Sequence, residues 1–220
     1  MSFDAVILAG GGARRLGGAD KALLEVGGRR LLDRVLAAVR GARRVFVVGP
    51  RRDTAPPGDH GRAEPPVEQM RAGQPGPSRA PRAIEWLREE PPGGGPVAAL
   101  HAALYELGAP LVVVLAVDLP FVDAGLVERL VRSVGADGAI DGAILVDRDG
   151  RDQPLAGAYR VESLRARLPR NSSPAGASVR ALVDGMMLAR IEDEGAALDC
   201  DTWDEVAAAR RRHGGGDDVG

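Results

Sequence analysis

Lysine is almost missing from this chain: of 29 basic residues among 220, 28 are arginine and one, Lys21, is lysine. Such a bias suits a GC-rich genome, and it makes the one lysine a residue to be explained. Cysteine is equally scarce. Cys200 stands alone, which excludes an internal disulfide, fits a reducing cytosol and leaves a cysteine-based zinc site without its ligands. His60, His101 and His213 are far apart and show no metal-type spacing. Only seven residues are aromatic, so a core must be aliphatic and rich in alanine. Charge of one sign is also lacking. A net charge of −2 argues against a general nucleic-acid or membrane-surface binder, because an anionic particle attracts neither over distance. Long hydrophobic runs are absent too: Ala5 to Ala9 is too short for a membrane span or signal peptide, and Met1-Ser2-Phe3-Asp4 brings no basic flank. The expectation is a cytoplasmic monomer with one domain over residues 1–213, a frayed tail over 214–220, and no nucleic-acid or membrane partner.

What the chain does hold is alternation. Ala5 to Leu8, Val45 to Val48, Leu111 to Val117 and Ala143 to Val146 are continuous apolar runs of the kind found in strands buried on both faces. Between them, Leu31, Leu32, Val35, Leu36 and Val39 recur at helical spacing. So do Val97, Leu100, Leu104 and Leu107, and then Leu126, Val127, Leu130, Val131 and Val134. Strands alternating with helices predict an α/β fold: a doubly wound, mostly parallel, Rossmann-like sheet with helices on both faces and ligands at the carboxyl ends of the strands. Residues 50–83 break the pattern with eight prolines and four glycines in 34 positions, and read as a flexible proline-rich loop. Thr202-Trp203-Asp204-Glu205 matches a capping box opening a helix to about Arg212. Asp147 to Asp152 reads as a turn between two strands. No internal repeat is present.

The strongest chemical signal follows the first strand: Leu8-Ala9-Gly10-Gly11-Gly12-Ala13-Arg14-Arg15-Leu16-Gly17-Gly18-Ala19-Asp20-Lys21. Three glycines let backbone N–H groups converge on an anion without Cβ obstruction, while Arg14, Arg15 and Lys21 add charge for a polyphosphate. The dinucleotide fingerprint fails because Arg15 stands where its third glycine belongs, and no Gly-Lys-Ser/Thr follows for a Walker loop. A plain tight turn would explain the glycines alone, and a solvated surface residue would explain Lys21 alone. If arginine replaced lysine wherever both are tolerated, however, this position needs a compact ammonium on a flexible stem. Asp118 follows the most apolar strand. A lone acid there suits Mg2+, which takes one or two protein carboxylates and completes its octahedron with water and phosphate oxygens; an Asp opening a turn before Leu119-Pro120 is the plainer alternative. The Gly94-Gly95-Pro96 stretch should open a helix whose free N–H groups face substrate, with Pro96 placed where its missing donor costs nothing.

In these residues the chain resembles the MobA-like nucleotidyltransferases, most closely the molybdenum cofactor guanylyltransferases. Leu8 to Lys21 reproduces their LAGG-x-S/A-x-R-M/L-G-x-x-K loop. Gly95-Pro96-Val97-Ala98-Ala99 stands for their helix start, Asp118-Leu119-Pro120 for D-x-P, Gln153-Pro154 for Q/H-P, and Asp199 to Val206 for the closing motif. The resemblance implies transfer of a nucleoside monophosphate from an NTP, GTP by family, to a phosphorylated acceptor, molybdopterin by family, with release of pyrophosphate. It implies that Leu8, Ala9, Gly10, Gly11, Gly12, Arg15, Lys21, Glu89, Gly95 and Asp118 bind nucleotide. Arg15, Lys21 and Asp118 would serve catalysis, and Asp118 and Asp201 would bind Mg2+. An acid just ahead of a helix also suits Asp201 for the dipole alone. Glu89 or Glu90 would accept from the guanine N1–H and amine. Val48-Gly49-Pro50-Arg51 departs from the family in lacking an asparagine that often touches the base. Cytidylyl transfer to the same pterin, guanylyl transfer to another phosphorylated metabolite, and a catalytically inactive nucleotide-binding module are the alternatives.

Overall fold

A computed structural model describes residues 1–10, 16–52, 84–136, 138–168, 170–172, 174–193, 195–196, 200 and 202–214. Its centre is a seven-stranded sheet in the order β5-β4-β1-β6-β8-β7-β9. The strands are β1 (Phe3–Leu8), β4 (Val45–Val48), β5 (Ile84–Leu87), β6 (Leu111–Ala116), β7 (Gly142–Val146), β8 (Asp152–Arg160) and β9 (Leu188–Glu192). A separate hairpin pairs β2 (Glu25–Val26) with β3 (Arg29–Arg30). β5, β4, β1 and β6 run parallel, β8 is antiparallel to both β6 and β7, and β7 is parallel to β9. The four apolar runs read from sequence are all strands, and β1 and β6 are buried along almost their whole length.

The strand period of two explains the two layers of helices. Phe3, Ala5 and Ile7 of β1 pack with Leu32, Val35 and Ala38 of α1 (Leu31–Ala38) and with Leu126 and Leu130 of α3 (Ala124–Ala136). Val6 and Leu8 point the other way. They join Val97 and Leu100 of α2 (Pro96–Leu104), Leu164 of α4 (Val161–Arg167) and Leu182 of α5 (Val179–Val183). Burial here is aliphatic, as the shortage of aromatics requires. Phe46 and Tyr159 are the only aromatics among the largest fully buried side chains of the described residues. At about 25 cal/mol per Å² of apolar surface buried, each fully buried aliphatic side chain contributes roughly 1.5–3 kcal/mol.

Two connections diverge from β1. α1 leads from β1 toward β4 on one side, and α2 brings the chain back to β6 on the other. The strand order therefore reverses between β1 and β6, where open α/β sheets leave a crevice. Leu8 of β1 is level with Ala116 of β6, so the residues after each strand emerge side by side. α6 (Trp203–Gly214) covers a third cluster with Leu16, Val26, Leu31, Cys200, Val206 and Ala209. Its start is the reciprocal box read from sequence: Thr202 N–H donates to Glu205 Oε2 at 2.7 Å, and Glu205 N–H to Thr202 Oγ1 at 3.3 Å. The helix extends through Gly214, slightly beyond the expected end at Arg212. Of the expected tail over 214–220, Gly214 ends α6 and 215–220 lie outside the described residues, as do 53–83 of the expected proline-rich loop over 50–83. Asp147 to Arg151 forms the expected turn, closed by Asp147 N–H to Arg151 O at 3.0 Å.

Candidate active site

A cavity of about 250 Å³ opens at the divergence of β1 and β6. Leu8 and Gly10 line it from the first strand, Ala116, Val117 and Asp118 from β6, and Gly95, Pro96 and Ala99 from the start of α2. Lys21 and Glu89 supply its charges together with Asp118, and Leu155 closes it from β8. Backbone hydrogen bonding fixes the strand exits: Val117 N–H donates to Leu8 O at 3.1 Å and Ala9 N–H to Val48 O at 2.9 Å. Gly49 has φ +147°, and a Cβ there would meet Ala9 C at 2.7 Å and Gly10 N at 2.8 Å. A side chain at Gly49 would therefore push the exits of β1 and β4 apart.

The geometry explains why Lys21 reaches the cavity. It opens a short 3-10 turn, Lys21–Leu23, whose cap is Asp20: Asp20 Oδ1 accepts from Ala22 N–H at 3.1 Å. From there the Lys21 Nζ donates to Asp118 Oδ2 at 2.9 Å, a contact across 97 positions of sequence. Both side chains remain partly accessible, 22% for Lys21 and 17% for Asp118, so the pair faces the cavity without being sealed. Cys200 N–H donates to Asp118 O at 3.0 Å, bringing the chain just ahead of α6 against the same strand exit.

Glu89 approaches from the segment after β5. Its Oε1 accepts from Gly93 N–H at 3.1 Å and would lie 3.4 Å from a Cβ at Gly10, placing the carboxylate over the first glycine of the loop. Between the two candidate glutamates, the cavity takes Glu89. Gly95, with φ +91°, caps α2, and Pro96 occupies its first turn as the sequence requires. Leu8, Gly10, Lys21, Glu89, Gly95 and Asp118 thus converge on one cavity, while Ala9, between Leu8 and Gly10, is buried in the core. Gly11, Gly12, Arg15 and Asp201 lie outside the described residues, as do Arg14 and Asp199.

Gln153 is half-buried and is held by Asp147, whose Oδ2 accepts from Gln153 Nε2 at 3.0 Å. The Arg151 backbone N–H, with Gln153 and Asp149 assisting, holds the Asp147 carboxyl below the usual carboxylate range despite some desolvation. The bulge between Ile144 and Leu145 in the β7–β8 pairing pushes the chain after Gln153 toward the cavity, where Leu155 appears. Tyr159 locks this bend by donating to Pro154 O at 2.6 Å, and burial drives its phenol pKa upward. His101 is half-buried against the Tyr105 ring edge, with centroids 5.7 Å apart, and does not line the cavity.

Sequence reading missed Arg52, and only the assembled strand exits reveal it. Its Nε donates to Asp20 Oδ2 at 2.6 Å, its Nη2 to Ala9 O at 3.0 Å and its Nη1 to Pro50 O at 2.9 Å. Among the described residues, no group of three His, Cys, Asp or Glu could hold a metal, and no helix is long and apolar enough to cross a membrane. A metal at this site would take Asp118 and fill its remaining positions with water and phosphate oxygens, a donor set that suits magnesium.

Comparison with known proteins shows the family to which this fold belongs. A relative from Mycobacterium marinum, named probable molybdenum cofactor guanylyltransferase, is 34% identical over 168 residues, covering 74% of this chain and 70% of the relative. One of the same name from Synechococcus elongatus is 38% identical over 125 residues; the match covers 54% of this chain and spans about half of that relative, 52%. Among solved structures, molybdopterin-guanine dinucleotide biosynthesis protein A from Archaeoglobus fulgidus has a TM-score of 0.67 at 19% identity, covering 96% of this chain and 99% of the other. The 2-C-methyl-D-erythritol 4-phosphate cytidylyltransferase of Thermus thermophilus has a TM-score of 0.60 at 24% identity, covering 96% and 98%. At those identities the structures show the shared fold. The model of the MobA-like NTP transferase domain matches residues 5–191, a span that holds both the glycine loop with Lys21 and the strand exit with Asp118. The chain therefore belongs to the MobA-like NTP transferase family.

Proposed function

We propose that the protein transfers a guanylyl group from GTP to the phosphate of molybdopterin and releases pyrophosphate. The observation that carries this reading is the Lys21–Asp118 pair at 2.9 Å, set at the reversal of strand order beside Gly10 and Glu89. One cation and one anion share a cavity wall there, and each has a separate substrate partner. The ammonium can turn to the phosphate oxygens of the nucleotide, and Asp118 is then released to hold magnesium, with Asp201 as the proposed second ligand. Magnesium, when bound, neutralises charge building on the phosphate oxygens.

Transfer needs no protein base. An oxygen of the acceptor phosphate, already anionic near neutral pH, forms a bond to the α-phosphorus, and the bond from that phosphorus to the β-phosphate oxygen breaks. Lys21 follows the charge on its flexible stem while Gly10, Gly11, Gly12 and Arg15 hold the triphosphate. The first turn of α2 at Gly95-Pro96 adds the positive end of a helix. Positioning and charge stabilisation supply the rate, so the lack of a Ser/His/Asp or Cys/His arrangement is consistent with the chemistry. The Glu89 carboxylate, fixed by Gly93, can accept from both guanine N1–H and the exocyclic amine, which a cytosine cannot offer together. GTP and molybdopterin also match the guanylyltransferase names of the curated relatives.

The test is to incubate purified protein with molybdopterin, magnesium and each of GTP, CTP, ATP and UTP. Pyrophosphate release with GTP is expected. Release with CTP alone would replace guanylyl by cytidylyl transfer, and no release with any donor would refute the transferase reading.

A further inference from the structure

Beyond Lys21 and Asp118, the cavity depends on how the two ends of the glycine loop are held. Ala9 lies just before the loop and Asp20 just after it, and one guanidinium touches both. Arg52 reaches Ala9 O at 3.0 Å and Asp20 Oδ2 at 2.6 Å, with its third contact to Pro50 O at 2.9 Å. Its side chain is only 10% exposed, against 36% for Asp20. Arg51, its neighbour, is exposed.

We infer that Arg52 is a positioning residue for nucleotide binding, a clasp that sets Gly10 at one end of the loop and Lys21 at the other. Asp20 is the link: one carboxylate oxygen accepts from Arg52 and the other from Ala22 N–H, capping the turn that begins at Lys21. Fixing that carboxylate therefore fixes the backbone from which the Lys21 ammonium reaches Asp118. On the other side, Ala9 is gripped twice by the β4 exit, through its N–H to Val48 O and its carbonyl to Arg52. A planar fork with donors in three directions can join these segments; a lysine ammonium on the same stem lacks the geometry to match both the carboxylate and the Ala9 carbonyl. Arg52 touches neither the proposed substrate nor the metal and acts through Ala9 and Asp20.

This inference rests on the nucleotidyltransferase reading, and the experiment separates the two. GTP affinity is measured by calorimetry, and kcat and KM for each substrate by pyrophosphate release, in wild type, Arg51→Ala, Arg52→Ala, Arg52→Lys and Asp20→Asn; thermal unfolding is followed for each. Arg52→Ala is expected to weaken GTP binding about tenfold to a hundredfold, the range typical of losing a group that orients a ligand-binding residue. The KM for molybdopterin should stay within about twofold because no acceptor contact is altered. Arg52→Lys should not rescue, Arg51→Ala should match wild type, and an Arg52→Ala/Asp20→Asn double variant should lose little more than the worse single one. Equal GTP affinity in folded wild type and Arg52→Ala would overturn the clasp. So would full rescue by Arg52→Lys, or loss in both substrates' KM alike. If Arg52→Ala unfolds, the comparison is carried by Arg52→Lys and Asp20→Asn, and wild-type GTP affinity in both overturns the proposal. A wild type that binds no nucleoside triphosphate overturns the transferase reading itself, and the clasp with it.

Discussion

Two aspartates stand at opposite ends of the central parallel strands, and they are used in opposite ways. Asp4, near the entry of β1, is fully buried and accepts three backbone N–H groups, from Arg44 at 3.2 Å, Gly108 at 2.8 Å and Ala109 at 2.9 Å. Asp118, past the exit of β6, is partly exposed and pairs with the ammonium of Lys21. Backbone donors are part of the fold and cannot leave; a lysine side chain can. A carboxylate satisfied by fixed donors ties segments together, whereas one held by a mobile cation can exchange partners when a ligand arrives. The residue type is shared; the difference lies in the position along the strands and in who answers the charge.

Substitutions at the two ends should separate these roles. The largest effect is expected for Asp118→Ala, which should cut magnesium-dependent turnover about 10³-fold, or ~4 kcal/mol of transition-state stabilisation. Its thermal midpoint should remain near that of wild type, and unchanged activity across a magnesium titration would contradict the metal role. Asp4→Ala should show the reverse. Removing the acceptor of three N–H groups, the Ala109 N–H fully buried and those of Arg44 and Gly108 partly so, should cost about 3 kcal/mol of stability in urea unfolding, with GTP affinity of the folded protein unchanged. Lys21→Arg keeps the charge and replaces a point cation with a fork, so turnover should fall about tenfold to thirtyfold, ~1.4–2 kcal/mol. Near wild-type turnover there would remove the case for a compact ammonium.

The smallest effect belongs to a third aspartate, which shares features of both. Asp141 accepts from Ser163 Oγ at 2.7 Å and Met187 N–H at 2.9 Å, joining the entry of β7 to α4 and the start of β9. The Ser163 hydroxyl, then the Met187 N–H, hold its carboxyl below the usual range, and these outweigh desolvation. Because the folded-state pKa is the lower one, the carboxylate stabilises the fold above the unfolded value of about 4 and loses that contribution as pH falls through the folded value. Asp141→Asn should therefore cost about 1 kcal/mol at pH 7, and the gap from wild type should narrow steadily below about pH 4. A gap independent of pH would show that charge plays no part.

The same contrast between fixed and exchangeable partners separates what sequence reveals from what it hides. β1, β4, β6 and β7 are legible because burial on both faces demands uninterrupted apolar residues. β8 is legible only as the strand due after the Asp147 to Asp152 turn and not from its own residues, because Asp152-Gln153-Pro154-Leu155-Ala156-Gly157 carries a proline and a glycine that normally argue against a strand. Its bulge accommodates the first, and close packing requires the second: a Cβ at Gly157 would meet Ala143 O at 2.8 Å. β5 and β9 sit at the sheet edges, half-buried and mixed in polarity, with Glu85 answered across the sheet by Arg44 at 2.8 Å. Lys21 and Asp118 stand out because their charge follows a glycine loop and an apolar strand. Asp4 is hidden inside a strand, and its role depends on donors some forty and a hundred residues away. Arg52 lies among prolines, one arginine among 28, and its three acceptors come together only when β1 and β4 are paired.

The central claim is that the α-phosphorus of GTP moves to an acceptor phosphate in the cavity between β1 and β6. Incubating the protein with molybdopterin, magnesium and GTP labelled at the α-phosphate tests it most directly. The label should pass into a product heavier than molybdopterin by one guanylyl unit, with pyrophosphate released in equal amount and both lost in Asp118→Ala. Label that remains in GTP, or leaves as GDP or GMP without entering the pterin, would contradict the account.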